Sequence, residues 1–183
     1  MKTKYIILLG LIAICFSACN LTGSVNNTPQ ILFVTNPICN KTDTLDKYYT
    51  DVSSVYRLDT IQVGDTVSFR MLLYGYSNNL TAYNLQVSDT TVAKVLLPTS
   101  TSLDSIFSGT SSDYSSGKFV FKNKTTSVYF PFKYVAKKAS TAVSITFALS
   151  SDASFEGSSM GSNTFYFILK TPIVLPKESS KKK

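Results

Sequence analysis

From Pro29 onward, apolar residues recur at every second position in short bursts, and small polar clusters separate the bursts. The strongest burst runs from Thr66 to Tyr76, with Val67, Phe69, Met71 and Leu73 on one side and Ser68 and Arg70 on the other. That spacing predicts a half-buried β-strand. The same reading predicts strands over 29–35 (Ile31 and Phe33 together), 55–63, 80–87 (Leu85 and Val87 inward) and 92–97. It continues with 118–122 (Phe119, Phe121), 127–135 (Val128, Phe130, Phe132, Tyr134), 142–149 (Val143, Ile145, Phe147, Leu149) and 164–170 (Phe165, Phe167, Leu169). Turn chemistry punctuates them at Asn36-Pro37, Gly64-Asp65, Ser77-Asn78-Asn79, Ser88-Asp89-Thr90 and Asn123-Lys124-Thr125. Pro131 lies inside one run, which places that strand at an edge or bulges it there. The polar stretches 40–54, 98–117 and 150–163 read as loops; the second carries an apolar island, Leu103, Ile106 and Phe107, and at most one edge strand.

No segment after the first twenty residues shows a helical period. Many short alternating strands predict an all-β domain over 29–176, a single antiparallel β-sandwich, with a small β-barrel as the alternative. Two segments sharpen this. Ile61-Gln62-Val63-Gly64-Asp65-Thr66-Val67-Ser68-Phe69 and Val87-Ser88-Asp89-Thr90-Thr91-Val92-Ala93-Lys94-Val95 resemble the strand starts and turns of bacterial immunoglobulin-like domains. The resemblance implies an immunoglobulin-like sandwich. The chain has no tryptophan, so the Cys–Trp–Cys core of antibody domains is absent.

The first nineteen residues follow a different pattern. Lys2 and Lys4 precede an unbroken apolar run, Tyr5 to Phe16, then Ser17, Ala18 and Cys19. A basic start, an apolar run too short to span a bilayer and small residues at its end predict a secretory signal over 1–18. Phe16-Ser17-Ala18-Cys19 resembles the lipobox of a Bacteroides-type bacterial lipoprotein, with Phe16 in the usual leucine position. The resemblance implies cleavage before Cys19, acylation of its sulfur and a membrane anchor. Asn20, not aspartate, follows the cysteine, which by the same resemblance favours the outer membrane. The acidic cluster that marks surface export is missing from 20–28, which favours the periplasmic face. Residues 19–28 read as the lipidated cysteine and a flexible tether, and 177–183 as a disordered basic tail.

Charge and composition narrow the function. The net charge is +7, but two of the 18 basic residues fall in the leader and four in the tail, which also holds one of the 11 acidic ones. That leaves 12 basic against 10 acidic residues over 20–176, too balanced for a nucleic-acid-binding face. The chain has no histidine, which removes Ser-His-Asp and Cys-His chemistry and the commonest metal ligand. Once Cys15 leaves and Cys19 is acylated, Cys39 stands alone, so neither a disulfide nor a thiolate zinc site is expected within the chain. Cys39 reads as a small buried residue near a strand end. No paired carboxylates stand clear of turn positions. These features predict a non-enzyme without cofactor or metal. Its partners are a membrane, through the anchor, and either polysaccharide or envelope proteins.

Two sets of residues are candidates for contact or modification. Tyr48, Tyr49, Tyr74, Tyr76, Tyr83 and Tyr114 fall off the inward positions as the strands are read above. An exposed tyrosine can stack on a sugar ring and hydrogen-bond through its hydroxyl, so Tyr48, Tyr49, Tyr74 and Tyr76 are the expected ligand contacts. An Asp-Ser/Thr-(apolar or Thr) triplet occurs five times, at Asp43-Thr44-Leu45, Asp59-Thr60-Ile61, Asp65-Thr66-Val67, Asp89-Thr90-Thr91 and Asp104-Ser105-Ile106. It resembles the O-glycosylation acceptor of Bacteroides-type bacteria, which implies Thr44, Thr60, Thr66, Thr90 and Ser105 as acceptors. Asp-Thr also opens ordinary turns and strands.

Overall fold

The computed structural model describes residues 26–50, 54–155 and 161–176. The expected signal, Cys19, most of the expected tether and the expected tail lie outside them. Fourteen strands occur in chain order among these residues: β1 (Gln30–Phe33), β2 (Ile38–Cys39), β3 (Asp43–Thr44), β4 (Lys47–Tyr49), β5 (Val55–Leu58), β6 (Ile61–Gln62), β7 (Thr66–Tyr74), β8 (Leu80–Val87), β9 (Ala93–Leu96), β10 (Lys118–Val120), β11 (Ser127–Ala136), β12 (Ser144–Ser151), β13 (Thr164–Lys170) and β14 (Ile173–Val174). A short helix, α1 (Ser100–Asp104), follows β9.

Twelve of the strands form two facing sheets, and β6 and β14 pair in a separate two-stranded sheet. The first has the order β3-β2-β7-β11-β9, and β1 joins β7 on the same flank as β2. The second is β10-β8-β12-β13-β5-β4. Of the main strands β1, β7, β8, β9, β11, β12 and β13, the first sheet takes the first, second, fifth and fourth. The second sheet takes the third, sixth and seventh. That is the ABED/CFG arrangement of an immunoglobulin-like sandwich. Both sheets keep open edges, so the barrel alternative does not hold.

The alternation read from the sequence decides the core. Val67, Phe69, Met71 and Leu73 of β7 are at most 1% exposed, and Val143, Ile145, Phe147 and Leu149 of the β12 region at most 2%. Aromatic rings pair within each sheet, and Phe132 and Phe147 meet across the two at 6.0 Å. Phe69 stacks on its cross-strand neighbour Phe132 at 4.7 Å, and Phe147 on its neighbour Phe167 at 4.6 Å. Such cross-strand pairs are the units that stabilise a sheet.

Several expectations change, among them the loop expected over 40–54, which carries β3 and β4. The run 55–63 splits at Asp59-Thr60: the Asp59 carboxylate and amide both bind the Asp46 backbone, at 2.7 and 3.0 Å, and the chain leaves the second sheet to pair with β14. β5 runs parallel to β13, and β6 to β14, where alternation suggested antiparallel pairing throughout. A parallel pair needs a long connection, not a hairpin, and here most of the chain intervenes. Of the island in 98–117, Leu103 lies on α1, whose N-cap is Thr99, and Phe107 beyond the helix makes a single antiparallel bridge to Phe121 in place of an edge strand; both plug the core. The expectation at Pro131 holds in a local form. β11 is an inner strand with unbroken register to β7, but its β9 partner begins only at Lys133. Opposite Pro131, the Arg70 carbonyl accepts from Val34 on β7's far flank. The backbone of Pro131 therefore turns toward the side where β9 is missing, and its absent amide costs no ladder bond.

Tyr83 is a further correction. It shares the parity of Leu85 and is fully buried, against Phe119 and Phe130. Among the described residues its hydroxyl has no hydrogen-bond partner, and burial pushes its pKa well above the usual tyrosine value. Tyr134 is buried as deeply, but its hydroxyl pairs with that of Thr171 at 2.7 Å. An unpartnered buried hydroxyl costs free energy that its removal returns. Tyr83→Phe is therefore expected to stabilise the domain by about 1 kcal/mol. A urea midpoint that falls, instead of rising, would show that the hydroxyl has a partner in solution.

Candidate functional site

The outward positions of the first sheet fall into cross-strand rows. Gln30, Tyr74 and Ser127 make one; Leu32, Leu72 and Tyr129 make the next; Arg70 and Pro131 follow, beside Val34. The outer face of an antiparallel sheet is usually polar. Here Tyr129 is 66% exposed, and Leu32 and Val34 are each about two-fifths exposed. Tyr74 packs against Tyr76, ring centres 4.4 Å apart at 45°. Tyr76 is placed for this by a positive φ of 58° at the turn after β7. Tyr74 and Tyr129 stand on diagonal positions of adjacent strands, within reach of one ligand. A ring face beside aliphatic surface, bordered by Gln30, Arg70 and Ser127, can take a molecule with one apolar and one hydrogen-bonding side.

This face contains only half of the expected tyrosine set. Tyr48 and Tyr49 sit on β4, at the far edge of the other sheet, opposite Arg57 and Tyr56. Their side chains lie outside the described residues. Tyr114 is half-buried against the core, and its hydroxyl donates to Asp104 at 2.6 Å. Partial burial and that carboxylate push its pKa up to about 12. Tyr129 was not among the expected contacts. Its parity, opposite to Val128, Phe130 and Phe132, is the signal that identifies it.

A second concavity, of about 690 Å³, lies between β8 and β9. Leu85, Val87, Val95 and Leu97 line it with apolar surface; Gln86, Thr90, Lys94, Lys137 and the 114–117 loop complete it. Among the described residues no carboxylate lines it. The Lys137 ammonium donates to the Thr90 carbonyl at 3.1 Å.

The five triplets separate by exposure. Thr44, Thr60, Thr90 and Ser105 are exposed, while Thr66 is half-buried and its amide donates to Asn40. The aspartates beside them have structural partners. Asp65 accepts from the Gln62 amide, Asp89 from the Thr91 amide and hydroxyl, and Asp104 from Tyr114. Ser105 donates to the Ser102 carbonyl at 2.7 Å. Cys39 is buried at the end of β2. Burial and the neighbouring Asp65 raise its pKa to about 11, which keeps the thiol protonated and unreactive at neutral pH. Among the described residues no group of three His, Cys, Asp or Glu could hold a metal ion, and no helix is long and apolar enough to cross a membrane.

No protein-family model and no curated protein matches this chain. Among solved structures it is similar to a DUF4466 family protein from Parabacteroides merdae, at 14% identity and a TM-score of 0.37 over 76% of this chain and 45% of that one. It is also similar to domains 4 and 5 of the S-layer protein SbsC (17% identity, TM-score 0.30, 76% of this chain and 54% of that one). A third is the cohesin module of a family 33 glycoside hydrolase from Clostridium perfringens (12% identity, TM-score 0.29, 78% of this chain and 100% of that one). The chain thus spans about half the length of the first two.

Proposed function

We propose that this protein is an outer-membrane lipoprotein, anchored through Cys19 with its sandwich on the periplasmic face, and that it binds and does not catalyse. Its ligand in this reading is a glycan, held on the outer face of the first sheet. The observation that carries the reading is the exposed Tyr129 beside the Tyr74–Tyr76 pair, with Gln30, Arg70 and Ser127 around them. Sugar rings offer apolar faces to such rings and hydroxyls to such polar neighbours. The aliphatic share of the face, Leu32, Leu72, Val34 and Pro131, supports a second reading: a protein-interaction subunit of an envelope complex. O-glycosylation is proposed at the exposed Thr44, Thr60, Thr90 and Ser105 and not at Thr66.

One preparation of protein extracted from its own membranes tests this. Its intact mass should show loss of residues 1–18, diacylglyceryl on Cys19 and added sugar; an unmodified mass would end both modifications. On an array of bacterial glycans, Tyr74→Ala with Tyr129→Ala should weaken binding by about tenfold or more, since each truncated stacking contact is worth roughly 1 kcal/mol. Equal binding by this variant would exclude the face, and cross-linking to envelope proteins without glycan binding would favour the second reading.

A further inference from the structure

The groove between β8 and β9 lies between an edge of one sheet and an edge of the other. β9 is the last strand of the first sheet. β10 covers β8 only from Ala82 to Asn84, so β8 is open beyond that point except where the Leu85 amide donates to the Gly117 carbonyl at 2.9 Å. Backbone direction follows from the ladders. The Ser88 amide donates to Ser144 on the β12 side, so Val87, one residue earlier, turns its amide and carbonyl to the groove. Ala136 exchanges both backbone bonds with the β7 side, at Gly64 and Asp65, so Val135 and Lys133 face β9. Their partners Lys94 and Leu96 face back, and Val95 between them turns its amide and carbonyl to the groove. Two strand edges thus present backbone donors and acceptors to one cavity.

The side chains add a polarity. Val87, Val95 and Leu97 are half-buried and pack on the core, which makes the floor apolar. Lys94 and Lys137 are exposed at the rim, and no carboxylate among the lining residues balances them. The geometry points to a second binding site, independent of the tyrosine face: the β8–β9 groove takes an extended peptide whose side chains alternate apolar and acidic. Such a segment pairs its backbone with Val87 and Val95, seats its apolar side chains on the valine floor and turns its carboxylates to Lys94 and Lys137. Backbone pairing supplies affinity and alternate side chains supply specificity, as in other strand-addition sites.

The test uses the 19–183 chain labelled with ¹⁵N and a blocked hexapeptide alternating valine and glutamate. The amide resonances of Val87 and Val95 should move on titration. The same peptide methylated on its backbone nitrogens should leave them unmoved, and so should one alternating valine and lysine. Lys94→Glu with Lys137→Glu should weaken binding about tenfold, as expected for two partly exposed charge pairs lost and reversed. Both lysines are exposed, and an unchanged amide spectrum elsewhere confirms that the variant is folded. Equal binding of the lysine peptide or of the methylated peptide would overturn the proposal. Binding of polygalacturonate without binding of the glutamate peptide would overturn it too, by making the groove a site for acidic polysaccharide. Because Tyr74 and Tyr129 stay intact throughout, the outcome is separate from that of the glycan reading.

Discussion

Phe130→Ala is expected to cost about 3–5 kcal/mol of folding free energy. Phe130 is 1% exposed and stands where β11 meets the plug below α1. Its ring contacts Tyr83 at 5.1 Å, Phe119 at 5.2 Å, Phe107 at 5.9 Å and Phe132 at 6.4 Å. Truncation removes the transfer free energy of the ring and leaves a cavity walled by other rings. Those rings are held by two sheets and a loop at once, so they cannot close it. A loss of this size is a large part of the roughly 5–15 kcal/mol that holds a domain together. Urea unfolding at constant slope reads it; a loss below about 1.5 kcal/mol would mean that the plug repacks. Phe130→Leu, which keeps most of the volume, should cost about 1.5 kcal/mol or less.

Gly117→Val is expected to be the second most damaging change, at about 3 kcal/mol or more, from a left-handed backbone and a steric overlap combined. Gly117 has φ +74°, and a Cβ there would overlap the carbonyl of Leu85. That carbonyl belongs to the β8 backbone, which β12 holds in register, so it cannot step aside. Gly64→Val separates the two causes. Gly64 has φ +94°, but a Cβ there meets nothing within 4 Å. Its substitution should cost only the conformational part, about 1–2 kcal/mol. If the two variants unfold at the same urea concentration, the overlap at Leu85 is relieved by movement of the 114–117 loop. In that case the loop yields, and the groove wall it forms is soft.

Both predictions concern residues whose importance was only partly legible along the chain. Phe130 belongs to an alternating run, and its burial follows from period two alone. Its ring partners do not, because Phe107 reaches it from a loop and Phe119 from the opposite sheet. Tyr83 shows how a residue-type rule can mislead: its parity with Leu85 put it inside, and its hydroxyl suggested a rim. The β-strand's strict alternation outweighed the polar atom, at the cost of an unpaired group. The tyrosine set divides for a similar reason. Tyr74 and Tyr76 are neighbours along the chain and stay neighbours in space, whereas β4 carries Tyr48 and Tyr49 to another sheet.

By itself the sequence determined the fold class, the inward residues of the main strands and most turns. These follow from local alternation and from glycine, asparagine and proline chemistry, which need no knowledge of distant partners. The tertiary structure alone decided which strands are neighbours, that β5 lies parallel to β13, and that Leu32, Leu72 and Tyr129 line up as one outward row. It alone brought Lys94 and Lys137 to the rim of one groove. Pairing between distant segments sets those juxtapositions, and period two says which face a side chain takes but not which strand stands beside it.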